Sequence, residues 1–251
     1  MTSSTLLHVP PPLLRARRAR HLLERNFLVY RRIWGILFSG FFEPVFYLFA
    51  VGIGIGQLVG EVMGPDGRPV RYAAFVAPAL LAASAMNGAV FESTMNVFFK
   101  LKYGKIYDAI LATPVAPHDI AVGELLWSLL RGSLYATGFL VVMAVMGLMP
   151  SAWGVLALPA AVLIGFAFGA VGLAATSFMR SWQDLDLVTL VTLPLFLFSA
   201  TFYPLEVYPQ PIQVATQLSP LYHGVELIRA LTLGAFDLTL AWHIGFLIAM
   251  G

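Results

Sequence analysis

The sequence has no cysteine. That excludes disulfides, thiolate metal sites and cysteine nucleophiles. It also has little charge: Asp, Glu, Lys and Arg make up 11% of the 251 residues, where a typical soluble domain carries about 25%. Signatures of soluble chemistry are missing as well. There is no GxxxxGK[ST] loop, so the chain by itself cannot hold ATP in the P-loop manner. There is no HExxH and no GxSxG, and His8, His21, His118, His223 and His243 are scattered. No metal set and no catalytic constellation stands out. The first ten residues lack a basic region followed by an apolar core, so no secretory signal is read there. The first hydrophobic span is expected to act as its own insertion signal.

What the chain does have is apolar length. Hydrophobic residues make up 59% and the mean hydropathy is +0.82, which marks an all-α polytopic membrane protein. Residues 1–32 read as a tail, with Pro10, Pro11 and Pro12, followed by a basic amphipathic helix on the membrane surface. Seven arginines lie between Arg15 and Arg32, and Ala16, Ala19, Leu22, Leu23 and Phe27 recur at helical spacing. A generic positive-inside flank is the plainer reading of the same stretch; a nucleic-acid patch does not suit a chain of membrane spans. Residues 33–251 read as one membrane domain without an obvious internal repeat. Spans are expected at 33–58, 72–99, 122–148, 153–178 and 185–203. A sixth begins near Leu240 and reaches Gly251 after roughly 12 residues, where a span needs about 20; the natural C-terminus is expected to lie beyond it.

With the N-terminus inside, eleven Lys and Arg side chains face the cytoplasm, from Arg15 to Arg32 and at Lys100, Lys102, Lys105 and Arg180. Three, Arg68, Arg71 and Arg229, face outward. The stretch 198–230 then falls on the outer side. It is broken by Pro204, Pro209, Pro211 and Pro220, too polar to span and too apolar for an ordinary loop. His223, Glu226 and Arg229 form a polar stripe there, read as a solubility device in which Glu226 and Arg229 pair locally.

Three charges sit inside spans. Glu43, Glu92 and Arg131 all fall roughly 12–15 Å from the inner surface at 1.5 Å per residue. Each unpaired charge there costs at least about 2.5–3.5 kcal/mol, so Arg131 is expected to neutralise Glu92 or Glu43. The pair can be mere helix packing or a polar lining of a substrate path. Pro44, directly after Glu43, removes a backbone donor and kinks its helix, so that point should face protein or water. Gly52, Gly56 and Gly60, and Gly165 with Gly169, have GxxxG spacing, a close-packing signal. In the cytoplasmic stretch 100–119, Tyr103, Ile106, Tyr107, Ile110 and Leu111 follow helical spacing. Such a helix needs either the membrane surface or a soluble partner to bury against. Asp184 and Asp186 could belong to a magnesium-dependent lipid enzyme or simply start a helix. Glu92 could serve an ion-coupled transporter as a proton relay.

Motifs along the chain resemble those of the ABC-2 type permeases, and within them the lipooligosaccharide-exporter and daunorubicin-resistance branches. They are ERNFLVYRR at 24–32, EPVFYLFAVGIGIG at 43–56, MNGAVFE at 86–92, YDAILATPV at 107–115, GELLW at 123–127 and FYPLEVYPQPIQVATQLSPLYHGVELIRALTLG at 202–234. The resemblance implies six membrane helices after an interfacial helix that contains Arg17, Arg18, Glu24 and Arg25. It implies a coupling helix at about 103–111, with Tyr103, Ile106, Tyr107, Asp108, Ile110 and Leu111 toward a separate ATPase. It implies re-entrant helices at about 205–218 and 221–233, carrying Pro204, Glu206, Pro209, Pro220, Glu226 and Arg229. It further implies a permease subunit of an ATP-driven exporter in the bacterial cytoplasmic membrane. Such a permease dimerises, pairs with two ATPase subunits that bind the ATP and magnesium, and has no nucleotide site or other cofactor of its own. The substrate implied is amphipathic: a lipooligosaccharide, glycolipid or lipid-linked glycan, or a drug on the same scaffold. The first, second and fifth helices would line its path, with Phe46, Phe196, Phe198, Phe202 and Tyr203 offered to its apolar part.

Overall fold

The computed structural model describes residues 24–28, 42 and 44–251. Arg17, Arg18, Glu43 and the opening part of the first expected span lie outside the described residues. The described chain is helical apart from one small hairpin. Helix α1 covers residues 24–28 and α2 covers Pro44–Val59. Strands β1 (Glu61–Met63) and β2 (Pro69–Arg71) pair antiparallel, with Val62 opposite Val70. Helix α3 starts at Tyr72, passes through a π-helical turn at Glu92–Asn96 and ends at Lys102. Then come α4 (Ile106–Leu111), α5 (Pro117–Val145), α6 (Ala157–Phe178), α7 (Asp184–Leu197), α8 (Gln210–Gln217), α9 (Pro220–Leu233) and α10 (Thr239–Met250).

Among the described residues, three helices are long and apolar enough to cross a membrane: Tyr72–Lys102, Pro117–Val145 and Ala152–Phe178, the last including a 3-10 turn before α6. They occupy the second, third and fourth expected spans. The third starts five residues earlier than its hydropathy suggests, because Pro117 fits a helix start and Asp119 Oδ2 accepts from the Ala116 N–H at 3.0 Å. The fifth stops at Leu197 rather than 203. Thr201 Oγ1 donates to the Phe196 carbonyl at 2.7 Å, and Ala200 takes a left-handed φ of 54°, so the helical ladder cannot continue.

Helix α3 is the centre, and α2, α5, α6 and α9 all pack against it. Its inner turns are rich in alanine, and Ala77, Ala79 and Ala82 are fully enclosed. Small side chains let backbones approach where lipid offers no hydrophobic drive between helices. The glycine spacing works the same way: Cβ atoms at Gly165 and Gly169 would lie 3.3 and 2.8 Å from Leu129 and Leu125 of α5. Gly52 and Gly56 likewise face Ala73 and Tyr72. At the π-helical turn the closest approach is by Gly172, whose added Cβ would collide with Ser93 Oγ and lie 3.1 Å from Ser93 Cβ. The same contact satisfies the irregular turn, because Thr176 Oγ1 of α6 donates to the Ser93 carbonyl at 2.8 Å. Gly172→Val is therefore expected to force α6 off the π turn and cost about 1–3 kcal/mol, read as a lowered Tm of the detergent-solubilised protein.

The polar stripe of α9 requires a correction. Arg229 and His223 are 1% and 4% exposed, so the stripe faces inward and is not a solubility device. Buried apolar faces of α9 and α3 leave the guanidinium no water, and it takes protein acceptors instead. Nη1 meets Glu226 Oε1 at 2.5 Å, Nη2 donates to the Ala200 carbonyl at 2.7 Å and Nε reaches the Phe75 carbonyl at 3.4 Å. The Phe75 ring lies 3.9 Å from the guanidinium carbon. One side chain thus ties α9 to α3 and holds the left-handed Ala200. The helices expected at 205–218 and 221–233 appear as a 3-10 turn (Leu205–Val207), α8 and α9. Pro209 and Pro211 delay the first of them, and Pro220 opens the second.

Candidate functional site

Arg131 of α5 forms an ion pair with Glu92 of α3 through Nη1 and Oε1. Its Nε also donates to Tyr135 Oη at 2.7 Å, and Glu92 Oε2 accepts from Asn96 Nδ2 at 2.7 Å. Of the two partners expected for Arg131, the described residues supply Glu92. The π-helical turn explains the placement. It widens α3 at Glu92, and such turns recur where a helix must re-aim a side chain.

The pair floors a cleft of about 510 Å3 between α2, α3, α5 and α7. Its walls bring in Pro44 and Tyr47 from α2 and Phe196 from α7, with Ser84, Asn87, Ser128, Thr189 and Thr192 as polar points. Tyr47 meets Phe196 edge to face at 6.0 Å between centroids. The aromatics expected along a path divide. Phe196 enters this cleft, Phe202 and Tyr203 line a separate apolar hollow beside the β-hairpin, and Phe46 and Phe198 point outward at 65% and 47% exposure. A paired charge with hydroxyl, amide and aromatic neighbours in an apolar helix bundle can bind a molecule with both polar and apolar parts.

A match to the ABC-2 type transporter family model covers residues 17–233. The chain belongs to the ABC-2 type transporter family. It is 32% identical over 226 residues to nodulation protein J of Rhizobium meliloti (strain 1021), covering 89% of this chain and 84% of that protein. It is 32% identical over 226 residues to nodulation protein J of Rhizobium leguminosarum bv. viciae, covering 89% and 85%. It is 33% identical over 227 residues to nodulation protein J of Sinorhizobium fredii (strain NBRC 101917 / NGR234), covering 89% and 84%. Family and apolar helices together make it a membrane subunit of a transporter rather than an enzyme.

In this ABC-2 chain the expected coupling segment is only partly one helix. Lys105 adopts a left-handed φ of 46°, so α4 begins at Ile106 and Tyr103 lies before the break, tilted against Phe99 at 5.3 Å. Part of the apolar face packs within the chain itself. Tyr107 is 4% exposed and packs with Val97 and Ile120, and Ile110 closes over them. What α4 leaves uncovered is Asp108, Ala109 and Leu111.

The residue that sequence reasoning missed is Glu124, quoted within GELLW but assigned no role. It is 5% exposed. Its Oε2 accepts from Lys100 Nζ at 2.7 Å and from Asn26 Nδ2 at 3.3 Å. It thereby joins α5 to the end of α3 and to α1. The Tyr107 hydroxyl is buried beside the Glu124 carboxylate. Burial, and then the nearby Glu124 carboxylate, pushes the hydroxyl far above the ordinary tyrosine range, partly offset by Arg25. A lone glutamate seven residues into an apolar helix was the available signal, the same one that exposed Glu92. Asp184 resolves toward its plainer reading: Oδ2 accepts from the N–H groups of Arg180 and Ser181 at 2.7 and 3.1 Å, which holds its carboxyl below the ordinary range. It sits in the first turn of α7 and braces the turn that leads into it.

Proposed function

We propose that this chain is the permease subunit of an ATP-driven exporter that moves an amphipathic substrate outward across the bacterial cytoplasmic membrane. The substrate is a lipooligosaccharide, glycolipid or lipid-linked glycan. A second copy of the chain and two copies of a separate ATPase, which hold the ATP and magnesium, complete the transporter. The N-terminus lies in the cytoplasm, six helices span the bilayer, and α8 with α9 forms the re-entrant pair on the outer side. The single observation that carries the reading is the cleft floored by Glu92 and Arg131, which pairs polar donors with aromatic walls inside a family of transporter membrane subunits. The motif resemblance to the lipooligosaccharide-exporter branch favours a glycan-bearing lipid over a drug.

Force from the ATPase would enter at α4. Its exposed Asp108 and Leu111 are free to meet a soluble partner, while Tyr107 anchors the helix to the spans. The double variant Asp108→Lys/Leu111→Asp is expected to abolish co-purification with the partner ABC ATPase. Both sites are exposed, so the Tm should stay within about 1 °C of the parent. Retained complex together with retained ATP-driven transport in proteoliposomes would refute α4 as the docking helix.

A further inference from the structure

We propose that His223 and His243 form a proton-operated latch between α9 and α10. Their Nδ1 atoms lie 2.7 Å apart, within hydrogen-bond distance. Two such nitrogens bond only if one carries a hydrogen and the other a bare lone pair. At least one ring must therefore be neutral. With both rings neutral the condition is met. A first added proton also leaves it met, because an imidazolium can donate to a neutral imidazole. A second proton arrives on the accepting Nδ1, and two N–H groups on two cations then face one another. The hydrogen bond between the helices is lost, and no covalent bond besides the new N–H changes. The latch belongs to the junction of α9 with α10 and stands apart from the exporter reading. Only the side from which the proton comes, the outer one, rests on the topology proposed above.

The surroundings hold the pair in place and give the proton a route. His223 is buried and stacks on Phe246 of α10 at 4.0 Å between centroids, while His243 is half-buried. Tyr222 sets its ring edge against both imidazoles, at 5.8 and 6.1 Å. Both histidines line an open, polar hollow of about 650 Å3 that they share with the turn of the β-hairpin. Around them, α9 brings Tyr222 and Glu226, and Glu226 is held by Arg229. The hairpin turn brings Asp66 and Arg68, paired at 3.5 Å. Asp237 stands at the entry to α10, and the Gln217 carbonyl faces His223 from the end of α8. Helix α6, which packs on both α9 and α10, has no titratable side chain, nor has the 3-10 turn before it. Helix α3 meets α9 on the Arg229 side, at Phe75. His243 is the one titratable side chain of α10. Protonating Glu226 would loosen a contact within α9, and protonating Asp66 one within the hairpin. Protonating the second imidazole breaks one between two helices.

The test uses the full chain in lipid nanodiscs without ATP or ATPase, so its outcome does not depend on transport. Hydrogen exchange of residues 239–250 is compared at about pH 7.5 and about pH 5, after correction for the intrinsic effect of pH on exchange. Once the latch is open, each ring titrates near the ordinary histidine value of about 6.5. Protons therefore stabilise the open form as pH falls through that value, and the latch is intact above it. Protection of α10 is expected to drop about ten-fold at the lower pH. His243→Asn keeps a short neutral donor and acceptor in place of the ring and is expected to be protected alike at both pH values. Histidine 15N spectra of the unsubstituted chain provide a second measurement that no folding defect of the variant can disturb. A coupling between the two Nδ1 atoms across their hydrogen bond is expected at about pH 7.5 and is lost at about pH 5. Equal protection of the unsubstituted chain at both pH values overturns the latch. So does a loss that His243→Asn leaves unchanged, which would assign it to Asp66, Glu226 or Asp237. Absence of the Nδ1–Nδ1 coupling at the higher pH overturns it as well.

Discussion

Arg229→Ala is expected to lower stability by about 3–5 kcal/mol, the range for removing one partner of a buried ion pair. The loss has several parts. Glu226 keeps its charge but loses its cation, although its side chain is 22% exposed and water can compensate some of that. The carbonyl groups of Ala200 and Phe75 lose their donor. Ala200 then loses the donor on its own carbonyl that helps hold its left-handed backbone, and the ring of Phe75 faces a void. Arg229→Lys keeps a charge but cannot reach Glu226 and both carbonyls from one planar fork, so it is expected to recover less than half of the loss. Tryptophan fluorescence during thermal unfolding in detergent measures both. A Tm for Arg229→Ala within about 2 °C of the parent would show that α9 is not clamped in this way.

Glu124→Ala is expected to cost about 3 kcal/mol and to break the link that joins α1 and the end of α3 to α5. Lys100, whose side chain is 12% exposed, would be left without its carboxylate, and α1 would lose its link to α5. The paired replacement Lys100→Met with Glu124→Leu removes both charges and fills the space, so most of the stability should return. Coupling should not return, because Asn26, Lys100 and the neighbourhood of Tyr107 would no longer share one acceptor. Stability from thermal unfolding and ATP-driven transport from proteoliposomes would therefore separate in the double variant. If transport recovered along with the Tm, Glu124 would be packing alone.

Much of this could be read along the chain because membrane physics is severe. Runs of apolar residues at 72–99, 122–148 and 153–178 became the three long helices, since a lipid core leaves the backbone no partner but its own helix. Arg131 could be matched to Glu92 or Glu43 from their positions in the chain because isolated charges at matched depth are too costly to leave apart, and the tertiary structure supplied Glu92. Glycine spacing marked the contact of α5 with α6. The same reasoning stopped at residues whose partners are distant in sequence. Glu124 finds Asn26 and Lys100, 98 and 24 positions away, and its position in the chain names neither partner. The direction of the α9 stripe was misread because periodicity places residues on one face without saying which face is inside.

The sequence by itself determined the membrane class, the family, the long spans and the need for Arg131 to meet Glu92 or Glu43. Each follows from a local cost: apolar surface in water, or charge in hydrocarbon. Only the tertiary structure decided that α3 is central, that Arg229 points inward and that α4 is anchored by Tyr107 with its Asp108 side open. Those outcomes depend on which helix faces cover one another. That is a sum over many weak contacts between residues far apart in the chain, and no single residue's chemistry specifies it.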